Sequence, residues 1–371
     1  MDTAKPRLAI TMGDAAGVGP EVIAAAWNFA QLHQTCSPLV IGDADVMRRA
    51  CQLRTSGNVH VQEIATGVEA AASRERMPVL SPSAAPGREK SSTPVDTRDL
   101  AEVRPGTIDS TAGAAAYEAI CAAAQLALAG EVDGIVTAPI NKKSFREAGI
   151  EFPGHTELFA QMCGVNKFAM MLYRPFTASR PGQEQEGPTL QPSGLGVAHV
   201  TLHVALRDVF AQLTEDEIVE KAGLLHGMLS DLHGRAPRLG IAALNPHGGE
   251  AGLFGREEIE IISPAVERAR ANGMNVRGPI PADTLFRHAA AGDYDGVVAM
   301  YHDQGHIALK LLGMHDVVNV TLGLPIVRTS VAHGTGFDIA WQGTAAPESL
   351  LQAIDVAARL ASPPSNKPRM R

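Results

Sequence analysis

The sequence predicts an α/β fold, on three grounds. Short apolar runs recur along the chain, and each ends in a glycine- or proline-marked turn before a helix-forming stretch, which is the rhythm of strand–helix units around a buried parallel sheet. Hydrophobic residues make up 45% of the chain and mean hydropathy is near zero, so a sizeable core can form. Polar side chains gather where the apolar runs end, and open α/β sheets bind their ligands at that edge. With 371 residues, the chain has room for two domains or one large unit.

Charge and composition exclude several classes. The net charge is −8 and no basic run stands out, which argues against a nucleic-acid partner held by phosphate neutralisation. Cys36, Cys51, Cys121 and Cys163 are scattered without a Cys-x-x-Cys pair; they read as free core thiols of a reducing, cytoplasmic protein. No apolar run approaches the ~18 residues of a membrane span, and no secretory leader is recognisable. The expected partners therefore include neither membrane nor nucleic acid.

Residues 7–12 read as a buried strand, followed by Gly-Asp-Ala-Ala-Gly-Val-Gly-Pro-Glu at 13–21 and a helix over 22–30 that Pro20 opens. This turn is neither a G-x-G-x-x-G nor a Walker loop, and glycines serving backbone geometry explain it as well as a phosphate does. Residues 38–43 begin a second strand–helix unit, with Asp43 or Asp45 at the helix start, and residues 78–110 read as a surface excursion. An alanine-rich helix over 111–129 and a strand over 134–139 lead to Asn141, Lys142 and Lys143.

His155 and Thr156 follow a Pro-Gly turn and precede a helix over 158–162. A helix N-terminus attracts anions, and both side chains can donate to phosphate; the plainer alternative is a capping threonine beside a casual histidine. A strand over 168–173, a Pro/Gly/Gln/Ser-rich loop over 174–196 and a return strand over 195–202 come next. If the return strand stays extended, His199 and His203 share a face. A helix over 217–232, a strand over 237–244 ending at Asn-Pro-His247-Gly-Gly, and a helix over 257–271 follow. Residues 278–284 read as a rigid loop carrying Asp283 and Thr284.

The stretch 296–310 organises the rest. Its apolar run 296–301 delivers His302, Asp303 and Gln304 to a strand end, and Gly305 is expected to let the backbone turn there. Eleven of the thirteen histidines lie beyond residue 150, which concentrates imidazole chemistry in the later part of the chain. A lone histidine is usually a core or surface residue. Three of them, His203, His247 and His302, each at a strand end beside Asn, Asp or Gly, are predicted to meet on one divalent metal: Zn, Mg, Co or Mn. Lys310, Asn319 and Arg328, with His155, supply an anion pocket; as ordinary surface charges, Lys310 and Arg328 would have no such role.

These motifs resemble the 4-hydroxythreonine-4-phosphate dehydrogenase family of pyridoxal phosphate biosynthesis, including its catabolic branch acting on threonate or erythronate 4-phosphate. The resemblance rests on residues 10–14 and 17–21, 154–157, 201–203 with 206–208, 244–250, 281–286, 301–305, 319–325, 328–330 and 333–335. It implies a two-domain subunit with the isocitrate/isopropylmalate dehydrogenase-like fold and an interdomain active-site cleft. The expected domains are 1–148 with 323–371, and 149–322. It also implies a homodimer with a shared active site. His203, His247 and His302 correspond to the family's metal ligands, with His302 the one donated across the dimer. His155, Thr156, Lys310, Asn319 and Arg328 correspond to its substrate contacts.

The implied reaction is oxidation of a small phosphorylated hydroxy acid by NAD or NADP, with decarboxylation of the keto acid. Asp283 and Lys310 are the catalytic candidates for proton transfer. Ala15 departs from the family's usual proline, and the 174–196 loop is longer than its usual hairpin. His199, His306 and the Gly-Phe-Asp at 336–338 lean toward the catabolic branch. Three other readings stay open: a dehydrogenase of an aromatic cis-dihydrodiol carboxylate, a metallohydrolase using a three-histidine site, and a sugar-phosphate-binding protein that has lost catalysis.

Overall fold

The computed structural model describes residues 5–66, 69, 71–85, 100, 102–176, 194–313 and 316–362. Most of the expected loop 174–196 and much of the excursion 78–110 lie outside these. The chain divides into two compact units, residues 1–166 with 324–362, and residues 167–323. Residues 149–166, which include His155, thus group with the first unit.

In the first unit β1 (Arg7–Thr11) runs into α1 (Gly19–Trp27) and α2 (Ala30–Thr35). Then come β2 (Ser37–Ile41), α3 (Ala44–Thr55), β3 (His60–Ile64) and β4 (Arg76–Leu80). The helix α3 begins where Asp43 accepts a hydrogen bond from the Val46 N–H at 2.8 Å, satisfying an otherwise orphaned donor. The strand β4 corrects the reading of 78–110 as a surface excursion from its start: Pro78, Val79 and Leu80 belong to a buried strand. The chain continues through α4 (Ser110–Leu128), β5 (Gly134–Thr137), α5 (Lys142–Glu147) and α6 (His155–Met162). Asp109 caps α4 and Asn141 caps α5, each accepting from two backbone N–H groups.

The second unit begins with β6 (Ala169–Pro175) and β7 (Gly194–His199), then α7 (Val209–Gln212), α8 (Glu215–His233) and β8 (Leu239–Ala242). A π turn (Glu258–Ile262) opens into α9 (Ser263–Ala271), followed by β9 (Val276–Ile280) and α10 (Ala282–Ala290). β10 (Gly296–Ala299), α11 (His302–Leu312) and β11 (Val318–Leu322) complete it. The chain returns to the first unit for β12 (Arg328–Val331) and α12 (Glu348–Ala361).

All strand pairs in the first unit are parallel, in the order β3-β4-β2-β1-β5-β12. Two-sided burial explains the apolar character of β1, β2 and β5: Leu8, Leu39, Ile41, Ile135 and Val136 are fully enclosed. In the second unit β11, β6 and β7 pair antiparallel, and β7, β10, β8 and β9 pair parallel. The parallel strands β7, β10 and β8 end at one edge, and each hands the chain to a histidine-bearing segment there.

Three sequence expectations are corrected. Residues 278–284 are not a loop: β9 and α10 meet there, and Asp283 lies in the first turn of α10. β7 stops at His199, so strand periodicity does not carry His199 and His203 onto one face. Gly305 is not a turn but sits inside α11. A β-carbon there would lie 2.4 Å from Nε2 of His199, so the glycine makes room for a ring. Among the described residues, no helix is long and apolar enough to cross a membrane.

One ion-pair knot anchors the edge of the second unit. Asp295 is fully enclosed and accepts from Arg235 at 2.7 Å and Arg238 at 3.1 Å, as well as from the Arg238 backbone N–H at 2.8 Å. Burial alone would raise its pKa, but these bonds outweigh it and hold the carboxyl well below the usual carboxylate range. Both arginines are partly exposed, so solvent screens part of the gain. Asp295→Asn is expected to cost about 2–3 kcal/mol at neutral pH, read by urea denaturation. Because the folded-state pKa is depressed, the stabilisation is complete above the ordinary carboxylate pKa and fades as pH falls through the folded value. The gap between native and variant should therefore narrow in acid, and equal stability at neutral pH would contradict the assignment.

Candidate functional site

The first unit encloses Arg328. This residue opens β12 and is 2% exposed. Its Nη2 donates to the Thr137 hydroxyl at 2.6 Å, and its guanidinium carbon lies 5.7 Å from the centre of the Phe159 ring. Burial pulls its pKa down to about 9, against the opposing charge of Glu157. Thr137 ends β5, and β5 and β12 pair in parallel register, so the sheet itself sets the Arg328–Thr137 contact.

His155 and Thr156 occupy the first turn of α6. Burial first, then the charges of Arg328 and Lys142, push the His155 pKa well below its usual value, so its ring is neutral at physiological pH. Its Nε2 is enclosed and makes no hydrogen bond among the described residues. A neutral imidazole, a guanidinium, a lysine and two threonine hydroxyls around a helix N-terminus form a set suited to a phosphate dianion.

The glycines at 13–19 are accounted for by packing. A β-carbon at Gly13 would lie 2.5 Å from the Pro139 carbonyl, and one at Gly19 would lie 2.4 Å from that of Met12. The backbone N–H of Val18 donates to the Thr335 carbonyl at 2.9 Å. This turn therefore packs against its own unit, which is the plainer of the two readings its sequence allowed.

The second unit holds the histidines. His199 ends β7, His203 follows it, His247 follows β8, and His302 opens α11 just past β10. His203 and His302 have ring centres 6.0 Å apart and line a cleft of about 350 Å³ with Leu206, Val209, Tyr301 and Asp303. Nδ1 of His302 is 2.7 Å from a carboxylate oxygen of Asp303. A carboxylate there fixes the proton on Nδ1 and leaves Nε2 as a lone-pair donor, the arrangement of metal-binding imidazoles. Behind His302 the ring of His306 stacks at 3.7 Å.

His247 stands apart from this pair. Residues His247 to Ala251 all have positive φ, from 43° to 78°, at a cost of about 1 kcal/mol or more for each non-glycine. The anchor is Glu258, which is 3% exposed. Its carboxylate accepts from the N–H groups of Leu244 and Asn245 at 2.8 and 2.7 Å and from the Asn245 amide at 3.0 Å. Gly249 is required here, since a β-carbon would lie 2.6 Å from Glu258 Oε2. Gln304 ties the neighbouring segments: it accepts from the Met300 N–H and donates to the Ala243 carbonyl, each at 2.7 Å. Sequence reading missed both Glu258 and Gln304 as supports of the histidine segments. The glutamine's place beside His302 was the available signal, while Glu258 gave none.

Among the described residues of one chain, no group of three or more His, Cys, Asp or Glu is arranged to hold a metal ion. The donors that one chain brings together are His203 and His302. Lys310 is half-buried on α11, and Asn319 on β11 has an enclosed Oδ1 that makes no hydrogen bond among the described residues. Asp283 is exposed to solvent.

These features define a two-unit α/β protein with an enclosed arginine beside a neutral histidine in one unit and a histidine-lined cleft in the other. Residues 34–357 match the family model described as pyridoxal phosphate biosynthetic protein PdxA. The chain is 40% identical over 354 residues to the D-threonate 4-phosphate dehydrogenase of Pectobacterium atrosepticum, covering 95% of this chain and 99% of that protein. It is 42% identical over 370 residues to the 4-hydroxythreonine-4-phosphate dehydrogenase of Geobacter metallireducens, covering 97% of each. The crystal structure of 4-hydroxythreonine-4-phosphate dehydrogenase from Klebsiella pneumoniae aligns with a TM-score of 0.79 at 39% identity, over 96% of this chain and 100% of that one. The chain belongs to the PdxA family and has the isocitrate/isopropylmalate dehydrogenase-like fold expected from its motifs.

The Glu258 anchor gives a direct expectation. Glu258→Ala leaves two backbone donors unsatisfied, which costs about 2–3 kcal/mol in total. Amide hydrogen exchange over residues 244–252 should accelerate relative to the remainder of the second unit. Unchanged protection in that segment would refute the anchoring role.

Proposed function

We propose that this protein is an NAD- or NADP-linked dehydrogenase of a small phosphorylated hydroxy acid, such as 4-phospho-threonate, 4-phospho-erythronate or 4-phosphohydroxy-L-threonine. The observation that carries this reading is the enclosed Arg328 guanidinium beside Thr137 and a neutral His155. An enclosed guanidinium beside a neutral imidazole suits a bound anion, and the relatives' names supply an anion of the right kind.

In this reading Arg328, His155, Thr156 and the Thr137 hydroxyl grip the phosphate and fix the substrate's orientation. Asn319 presents its enclosed Oδ1 to a hydroxyl or amino hydrogen of the substrate. Lys310, half-buried on α11, is a candidate for exchanging protons with the substrate during oxidation and after CO₂ leaves, a role that requires its amine to be neutral when it accepts. Asp283, open to water on α10, is the weaker candidate for that exchange.

His203, His247 and His302 fit a divalent cation by donor type, and the Asp303 contact supports His302 in that role. When bound, the cation supplies Lewis-acid stabilisation of the oxygen that loses its proton. A bound NAD or NADP would supply the hydride acceptor. Among the described residues one chain does not complete the ligand set, in keeping with a homodimer whose site is shared between subunits. Large exposed apolar side chains flank each histidine segment: Leu206 and Phe210, Leu253 and Phe254, Ile307 and Leu311. A second copy covering them would give the dimer its apolar contact.

Two variants test the proposal through formation of reduced nicotinamide. Arg328→Met should raise KM for phosphorylated substrates on the order of 100-fold, about 2–3 kcal/mol, and leave a non-phosphorylated diol unaffected. An equal effect on both would remove the phosphate role. His247→Ala should abolish bound metal and turnover with the fold intact by circular dichroism; an active, metal-free variant would remove the ligand role.

A further inference from the structure

Behind His302 lies a buried pair of imidazoles that the proposed chemistry does not use. His306 follows His302 by one helical turn, so the two side chains share a face of α11. Their rings lie 3.7 Å apart and 13° from parallel. His306 is 8% exposed, and its Nδ1 lies 3.1 Å from Nε2 of His199 and 3.2 Å from the His302 carbonyl oxygen. His199 is 2% exposed at the end of β7, and its ring centre is 4.7 Å from that of His306.

The chain carries costs to keep this pair. Gly305, inside α11, stands where a β-carbon would strike His199 at 2.4 Å, and a glycine in a helix costs about 1 kcal/mol relative to alanine. Nδ1 of His199 is enclosed without a hydrogen-bond partner among the described residues, a desolvation cost of about 1–3 kcal/mol. Two apolar side chains of similar shape would pack there more stably. A costly polar pair, placed against the back of one functional imidazole, points to orientation of that imidazole.

We infer that His306, braced by His199, is a positioning residue that holds the His302 ring so that Nε2 faces a divalent cation. Asp303 fixes the edge of the ring, and His306 fixes its face. This inference rests on the metal-ligand reading of His302 given above, and adds to it two histidines of this chain with an assigned role.

The test titrates Co²⁺ alone into the purified full-length protein, by calorimetry and by the visible d–d absorption of the bound ion. His306→Leu should weaken Co²⁺ on the order of 10-fold or more, as expected for loss of a ligand's supporting group, and shift the d–d band. His306→Gln, which keeps a hydrogen-bonding group toward His199 and the His302 carbonyl, should weaken it less. With metal saturating, kcat should fall while KM for the phosphorylated substrate holds. Native Co²⁺ affinity and spectrum in both variants would overturn the positioning role and leave the metal reading standing. Failure of the unaltered protein to bind Co²⁺ would overturn both. Should His306→Leu fail to fold, the His306→Gln titration decides alone: native behaviour overturns the inference, and weaker binding with a shifted band supports it.

Discussion

A guanidinium held almost wholly out of water is the constraint on which the rest of the first unit depends. Arg328 cannot lose its charge readily, so the surroundings must serve it. The parallel register of β5 and β12 brings the Thr137 hydroxyl to 2.6 Å, and Phe159 offers a ring face. The same burial that penalises Arg328 keeps His155 neutral, which avoids two positive charges in one enclosed space. In the proposed reading a phosphate dianion would complete this balance, bound where water is scarce.

The second unit solves a different problem, that of presenting imidazoles from segments distant in sequence. The parallel strands β7, β10 and β8 end side by side, and the histidines lie just beyond those ends. Loops alone would place them loosely. Glu258 therefore pins the left-handed segment that bears His247, Gln304 ties the end of β8 to the start of α11, and Asp303 with His306 constrains the His302 ring on two sides. This agrees with the rule that functional groups need rigid support from a second layer.

Much of this architecture was legible in the sequence, because buried parallel strands are apolar on both faces. β1, β5 and β10 could be read within a residue or two on that ground, and Pro20 and Asp43 marked helix starts through the backbone donors they spare or satisfy. What escaped depended on distant partners. β4 looked like a surface excursion because Pro78 and a polar stretch beyond it hid its burial. Gly305 read as a turn because the ring that demands its missing side chain, His199, comes 106 residues earlier, as the two positions show. Asp283 looked fixed in a rigid loop because Pro279 and Pro281 break the pattern, whereas Pro281 simply precedes the first turn of α10. The histidines were recognisable as candidates from their positions at strand ends. The stacking of His302 on His306 was not, since helical spacing gives proximity and only coordinates give ring orientation.

The central claim is that enclosed donors around Arg328 select a phosphorylated substrate. The most direct measurement compares kcat/KM of the unaltered protein for a 4-phosphorylated hydroxy acid with that for its dephosphorylated counterpart, at saturating nicotinamide and divalent metal. Discrimination on the order of 10³-fold or more is predicted, because removing the phosphate leaves buried donors unpaired. Comparable values for the two compounds would contradict the account.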